Sequence, residues 1–240
     1  MAAVAIGVVS WAWPYTPPNA QAGGPTAAPN IPPVVAPPNA SGASGPSASD
    51  APRSSSAPPP LATGVTAPAD IPLTYSDTEI AAVGSGANHP YIVAVEDGAE
   101  LDANTVAEAV AATLNNPRSW SGSGNDSFTL VGDPREATFS ILFVTHQTAG
   151  SNSACRGAPV CTLQRRTVII DVDSWATPAT TYADKLEDFR VYLVNRGVGY
   201  VLGNITTTCP KAGYVASVMQ PQDQDLAGCT ANPWVYAAKS

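Results

Sequence analysis

Proline is distributed so unevenly along this chain that it divides the sequence before any other feature is read. Of 24 prolines in 240 residues, 15 precede Ile71, and the first basic residue is Arg53. Between them stand Ala, Ser and Gly with almost no charge. Such a stretch has no apolar periodicity to bury, so nothing offsets the conformational entropy of ordering it. Residues 23–70 are therefore expected to be a disordered, semi-stiff spacer with polyproline-like stretches. A proline-rich recognition ligand is the alternative reading. Residues 71–240 remain as foldable material, long enough for one well-buried core.

Ahead of the spacer, Ala2 to Trp13 is an uncharged apolar run, shorter than the ~20 residues that span a bilayer. Ala20-Gln21-Ala22 resembles a small-residue cleavage site, so residues 1–22 read as a signal or anchor segment. No Lys or Arg precedes the run, and the expectation is that Met1 lies inside a longer hydrophobic segment beginning upstream. The protein is thus expected to be extracytoplasmic, secreted or anchored to the plasma membrane by this segment, its one contact with the membrane.

Four cysteines, Cys155, Cys161, Cys209 and Cys229, all fall in the C-terminal part. An even count beside an export-like N-terminus suggests two disulfides. Of three possible pairings, Cys155–Cys161 and Cys209–Cys229 are favoured, because each closes a short loop rich in turn residues. A four-thiolate zinc site would need a C-x-x-C hook, and the sequence has none. The formal charge of −8 argues against nucleic acid, which is bound by clustered Lys and Arg. Arg165-Arg166, the one dense basic pair, reads as a solvated strand or loop flank.

Tyr91 to Val95 is β-branched and alternating, and Glu96-Asp97-Gly98 turns the chain. Asp102 or Asn104 can cap a helix over Thr105–Leu114, where Val106, Val110 and Leu114 stack four apart; Asn115-Asn116-Pro117 ends it. Phe128–Val131, Ala137–Val144 and Thr167–Val172 read as strands. In the second, Phe139, Ile141 and Phe143 share one face, with Leu142 and Val144 on the other. A long helix is expected over about Tyr182 to Leu202, with Leu186, Phe189, Leu193 and Tyr200 on one side and Gly203 as its stop. Strands followed by a late long helix predict an α+β domain with a small mixed sheet and an early helix.

From about Leu73 to Tyr236 the chain resembles DUF3152, an actinobacterial family of exported domains that looks like a zincin of the metzincin kind. The resemblance rests on Val93 to Gly98, on Leu114 to Trp120, on Tyr192 to Gly203, on Val218-Met219-Gln220 and on Leu226 to Trp234, in that order. The resemblance implies a helix carrying H-E-x-G-H-x-L-G-x-x-H. Two histidines four apart grip one ion, the glutamate activates its water, and a glycine turns the chain so that a third histidine closes the site. A methionine turn passes beneath. Here Arg196 and Tyr200 stand where the first two histidines belong, Thr206 where the third belongs, and Gly197 where the glutamate belongs. Gly199, Leu202, Gly203 and Met219 keep the structural letters. Arginine offers no lone pair and its fixed charge repels a cation. The expectation is a degenerate member with no catalytic residues, no metal and no cofactor, and with Arg196 and Tyr200 lining a possible ligand cleft.

Other chemistry is sparse. The two histidines, His89 and His146, read as solvent-facing or hydrogen-bonded loop residues. Together with a carboxylate such as Asp171 or Asp173 they could in principle make a different metal site, but nothing in the spacing asks for one. Asp171 and Asp173 alternate on the expected strand and so share one face, the better pair of carboxylates for hydrolysis; Glu187-Asp188 read as the first turn of a helix. No G-x-S-x-G elbow supports a serine triad. Trp120 and Trp234 read as core or rim packing, with a ligand-stacking surface as the alternative. The sequence therefore points to a catalytically inactive metallopeptidase-like domain, binding a peptide, glycan or protein partner or scaffolding at the cell envelope. The alternatives are a hydrolase using a non-zinc site such as Asp171/Asp173, and an envelope spacer.

Overall fold

The computed structural model describes residues 71–236, all within one compact unit. The apolar segment 1–22, the Pro-rich segment 23–70 and the anchoring expectation lie outside the described residues. No described helix is long and apolar enough to cross a membrane.

The described chain forms β1 (Leu73–Tyr75), β2 (Ala87–Glu96), α1 (Ala103–Leu114), β3 (Asp126–Leu130), β4 (Phe139–Val144), α2 (His146–Ser151), β5 (Val160–Leu163), β6 (Thr167–Asp171), α3 (Val172–Ala176) and α4 (Leu186–Val201). Short 3-10 turns cover Trp120–Ser123 and Thr180–Tyr182. The architecture is α+β, with one mixed sheet, an early helix and a late long one. Strands run in the order β1-β2-β4-β6-β5, and β3 pairs with β2 as well. β2, β4 and β6 are parallel neighbours, whereas β1 and β5 add antiparallel strands at the two ends.

Strand alternation sorts the core. Tyr91, Val93, Val95, Phe139, Ile141, Phe143, Val168 and Ile170 meet α1 and α4 on one face. Ala94, Leu142, Val144 and Ile169 turn the other way, onto Ala149 and the Cys155–Cys161 disulfide. The expected split of β4 is therefore present, although its first residue is Phe139 rather than Ala137. Asp102 caps α1, its side chain accepting from the Thr105 N–H at 2.7 Å.

α4 begins four residues later than its apolar spacing suggests. Ala183 takes a positive φ of 51°, which interrupts the helix, and Tyr182 sits in the preceding 3-10 turn with its ring 5.2 Å from that of Phe189. From Tyr192 to Gly199 every residue of α4 is buried, because the sheet lies on one side and the C-terminal tail wraps the other. Asn195 is fully buried yet satisfied: it accepts from the Ser119 hydroxyl at 2.6 Å and donates to the Pro233 carbonyl at 2.9 Å. The helix stops where expected, at Gly203 with φ +91°.

The tail after α4 is irregular and is tied by the Cys209–Cys229 disulfide, so both favoured pairings are present. Tyr192 clamps this tail to α4, donating from its hydroxyl to the Gln220 carbonyl and accepting from the Gln222 N–H. Burial pushes that phenol far above its usual range.

Candidate cleft beside the long helix

Residues four apart on a helix share a face, and this puts Arg196 and Tyr200 side by side at the end of α4. The Arg196 Nη2 donates to the Tyr200 hydroxyl at 2.9 Å. After Gly203 the chain reverses, with the Asn204 N–H on the Gly199 carbonyl at 2.9 Å. The reversal returns Thr206 to the same spot, its hydroxyl 2.5 Å from that of Tyr200. Below them, the turn at Ser217–Gln220 points the Met219 carbonyl at Arg196 Nη1, 2.6 Å away. Guanidinium, phenol and hydroxyl thus form one hydrogen-bonded chain seated on the methionine turn.

The small residues of this stretch have specific neighbours. A Cβ on Gly199 would lie 2.4 Å from Met219 Sδ and 2.7 Å from Trp120 Cζ2, and one on Gly203 would lie 1.7 Å from Nη2 of Arg165. Gly197 faces the sheet, where a Cβ would lie 2.4 Å from Val168 Cγ1 and 3.1 Å from Val160 Cγ2. Leu202 packs at the edge of the main core.

Arg196 is 8% exposed. Among the described residues the ion pairs are His89–Asp126, Arg135–Asp133, His146–Asp171 and Arg190–Glu187, so no carboxylate neutralises it. The guanidinium opens onto a cavity of ≈ 240 Å³ that Thr162 and Tyr200 also line. A second cavity of ≈ 320 Å³, bounded by Arg165, Gly203 and Thr206, shares Thr162 and Tyr200 as walls. Beyond Asn204 and Ile205 a larger one of ≈ 710 Å³ runs between Trp120, Met219 and Trp234. Trp120 is anchored by its indole N–H on the Asn195 carbonyl at 2.8 Å, and Arg118 stacks 4.6 Å above Trp234. Both tryptophans therefore pack structurally and also border open space.

The two histidines are held apart at opposite ends of the parallel strands. His89 lies inside β2, its Nε2 2.8 Å from Asp126. His146 is the first residue of α2 rather than a loop residue, with Nδ1 3.1 Å from Asp171 Oδ2. This contact raises the His146 pKa, through the hydrogen bond first and the Asp171 charge second.

Asp171 and Asp173 do not share a strand face, contrary to the sequence expectation. β6 ends at Asp171, which caps α3 by accepting from the Asp173 N–H at 3.2 Å, while Asp173 lies in the first turn of α3. The cap residue halts the strand one position before Val172. Even so, His146, Asp171 and Asp173 come together beyond the carboxyl ends of β4 and β6, each with a ligand-type atom within 4.8 Å of the others. Alternation along one strand gave no sign of this grouping, because it forms across two strands. Glu96, at the carboxyl end of β2, is engaged in capping α2 through Thr145 and Thr148.

Fold and cleft together define a disulfide-bonded α+β domain with a groove along the end of its longest helix. One family model, described as a protein of unknown function (DUF3152), matches residues 69–237, and the chain belongs to that family. No curated protein and no solved structure matches it. The two disulfides are of the kind that oxidising, extracytoplasmic compartments maintain.

Proposed function

We propose that this is a catalytically inactive, metallopeptidase-like domain that works outside the cytoplasm, with its cleft binding or scaffolding a partner at the cell envelope. One observation carries the reading. The four positions at which the family resemblance implies chemistry hold Arg196, Gly197, Tyr200 and Thr206, and three of their side chains are bonded to one another. This donor set does not fit a zinc ion, which takes imidazole, thiolate or carboxylate ligands at about 2.0–2.3 Å. A guanidinium brings a fixed positive charge and no lone pair to the same point. Gly197 supplies no base, and packing against Val168 and Val160 leaves no room there for a longer side chain.

The test is zinc uptake and chelator-sensitive proteolysis by the full chain at neutral pH, done in parallel with His146→Ala to remove the separate cluster near β6. The reading expects no zinc retained by the His146→Ala protein and no proteolysis by either. Stoichiometric zinc in the His146→Ala protein would overturn it.

A second reading is a hydrolase whose working groups are His146, Asp171 and Asp173. It is favoured by their convergence at the carboxyl ends of parallel strands, the edge where open parallel sheets commonly bind ligands. Asp171 is buried, and its hydrogen bond orients an exposed imidazole, an arrangement suited to a general base. Under this reading an esterase or peptidase activity is lost in both His146→Ala and Asp173→Ala, whereas unchanged activity in either discards it.

A further inference from the structure

A charge as deeply placed as that of Arg196 is normally matched by a counter-charge, because desolvating it alone is costly. Here two of the five N–H groups of the guanidinium are engaged, one on the Met219 carbonyl and one on the Tyr200 hydroxyl, both neutral. The remainder have no acceptor among the described residues, and the side chain lines a cavity. On the other side of Tyr200, the guanidinium of Arg165 lies against Gly203 and lines the neighbouring cavity. It too has no ion-pair partner among the described residues. Two arginines without a carboxylate partner among the described residues thus flank one phenol, over whose ring Arg196 lies at 5.3 Å, in a protein whose formal charge is −8.

We infer that this double cavity is a carboxylate-binding site, with Arg196 as its floor, Arg165 as its rim and the Tyr200 hydroxyl between them; Thr162 is a wall only, its hydroxyl donating to the Gly197 carbonyl at 3.0 Å. The inference rests on the metal-free reading of the cleft and names the class of ligand that cleft takes. A planar guanidinium matches a carboxylate with two parallel hydrogen bonds. The negative end of the α4 macrodipole lies at Val201–Gly203; it opposes any anion, which the two arginines must outweigh, and opposes a doubly charged phosphate more than a carboxylate. The same dipole end holds the Arg165 guanidinium at the rim before any ligand arrives. The carboxylate has two sources in a peptide, the free C-terminus and an Asp or Glu side chain.

The experiment titrates isotope-labelled full chain with three peptides and follows the backbone N–H signals of Thr162 and Gly203 and the Nε–H of Arg196 by NMR. The probes are acetyl-trialanine with a free carboxylate, the same peptide as its amide, and acetyl-Ala-Glu-Ala amide. Saturable shifts are expected from one or both carboxylate probes, with a dissociation constant of about 1 mM or tighter, and none from the neutral amide. Which acid binds identifies the source. Binding is expected to weaken as salt is raised, and about tenfold or more in Arg165→Ala, for loss of a charge-assisted contact.

Arg196→Met is expected to abolish binding. Arg165 lies in the exposed turn between β5 and β6, so its variant keeps the test open should Arg196→Met fail to fold. The inference is overturned by equal shifts from acid and amide, by no shift up to about 10 mM of either acid, by an unchanged Arg165→Ala, or by inorganic phosphate binding more tightly than both acids. Failure here, with no zinc at the helix, leaves the metal-free reading standing; zinc at the helix removes that reading whatever the peptides do.

Discussion

Replacing Gly197 with alanine adds a methyl group where β6 already stands. Taken as a helix-interior change alone, Gly→Ala stabilises by about 1 kcal/mol. The structure opposes this gain. The new Cβ would lie 2.4 Å from Val168 Cγ1 and 3.1 Å from Val160 Cγ2, against the roughly 3.5–4.0 Å at which carbons pack. Val168 is fully buried in β6, and its β-branched side chain has little rotamer freedom to yield. Overpacking of this kind costs about 1–3 kcal/mol, so the net expectation is a loss of about 1 kcal/mol. In a folded part of this size that lowers the melting temperature by about 2–4 °C. Urea unfolding of the wild type, Gly197→Ala, Val168→Ala and the double variant measures the coupling directly. In the Val168→Ala background Gly197→Ala is expected to stabilise, giving a coupling of about 2 kcal/mol. A Gly197→Ala protein that gains the full helix-propensity increment, with no coupling to Val168, would refute the reasoning. The consequence for function is direct: a glutamate cannot return at 197 unless β6 is reshaped with it.

Two further outcomes follow from named contacts. The His146 pKa is raised in the folded protein by Asp171, so the pair stabilises fully below the unfolded value of about 6.5 and loses that contribution as pH climbs through the raised value; the gap in melting temperature between wild type and His146→Ala should shrink as pH is raised, and a gap that widens would reverse the assignment. Cys209 and Cys229 are 20 residues apart, so removing both as serines should cost about 3 kcal/mol by loop entropy and loosen the turn that carries Met219; an unchanged denaturation midpoint would show that the tail is held by its hydrogen bonds alone.

Elements whose patterns are local could be read directly from the chain. β4 shows its two faces in Phe139, Ile141, Phe143 against Leu142 and Val144, and α1 shows its cap in Asp102. The disulfide pairing followed from loop length and turn residues. Legibility ended where a distant partner decides. β1 and β5 are three and four residues long, too short to show a period, and exist because β2 and β6 offer them free edges. The late start of α4 turns on one backbone angle at Ala183, which an alanine does not advertise. At the cleft, the family spacing brought Arg196, Tyr200 and Thr206 to attention, but not the carbonyl of Met219 that receives the guanidinium. The grouping of His146 with Asp171 and Asp173 joins the ends of two strands 25 residues apart, and no local pattern encodes it.

The most direct test of the account is a crystal of the full chain grown with excess zinc, with anomalous scattering recorded at the zinc edge. The prediction is no peak between Arg196, Tyr200 and Thr206, whatever metal collects near His146. A peak within about 2.3 Å of the Tyr200 or Thr206 oxygen, with Arg196 swung away from the Met219 carbonyl, would contradict it.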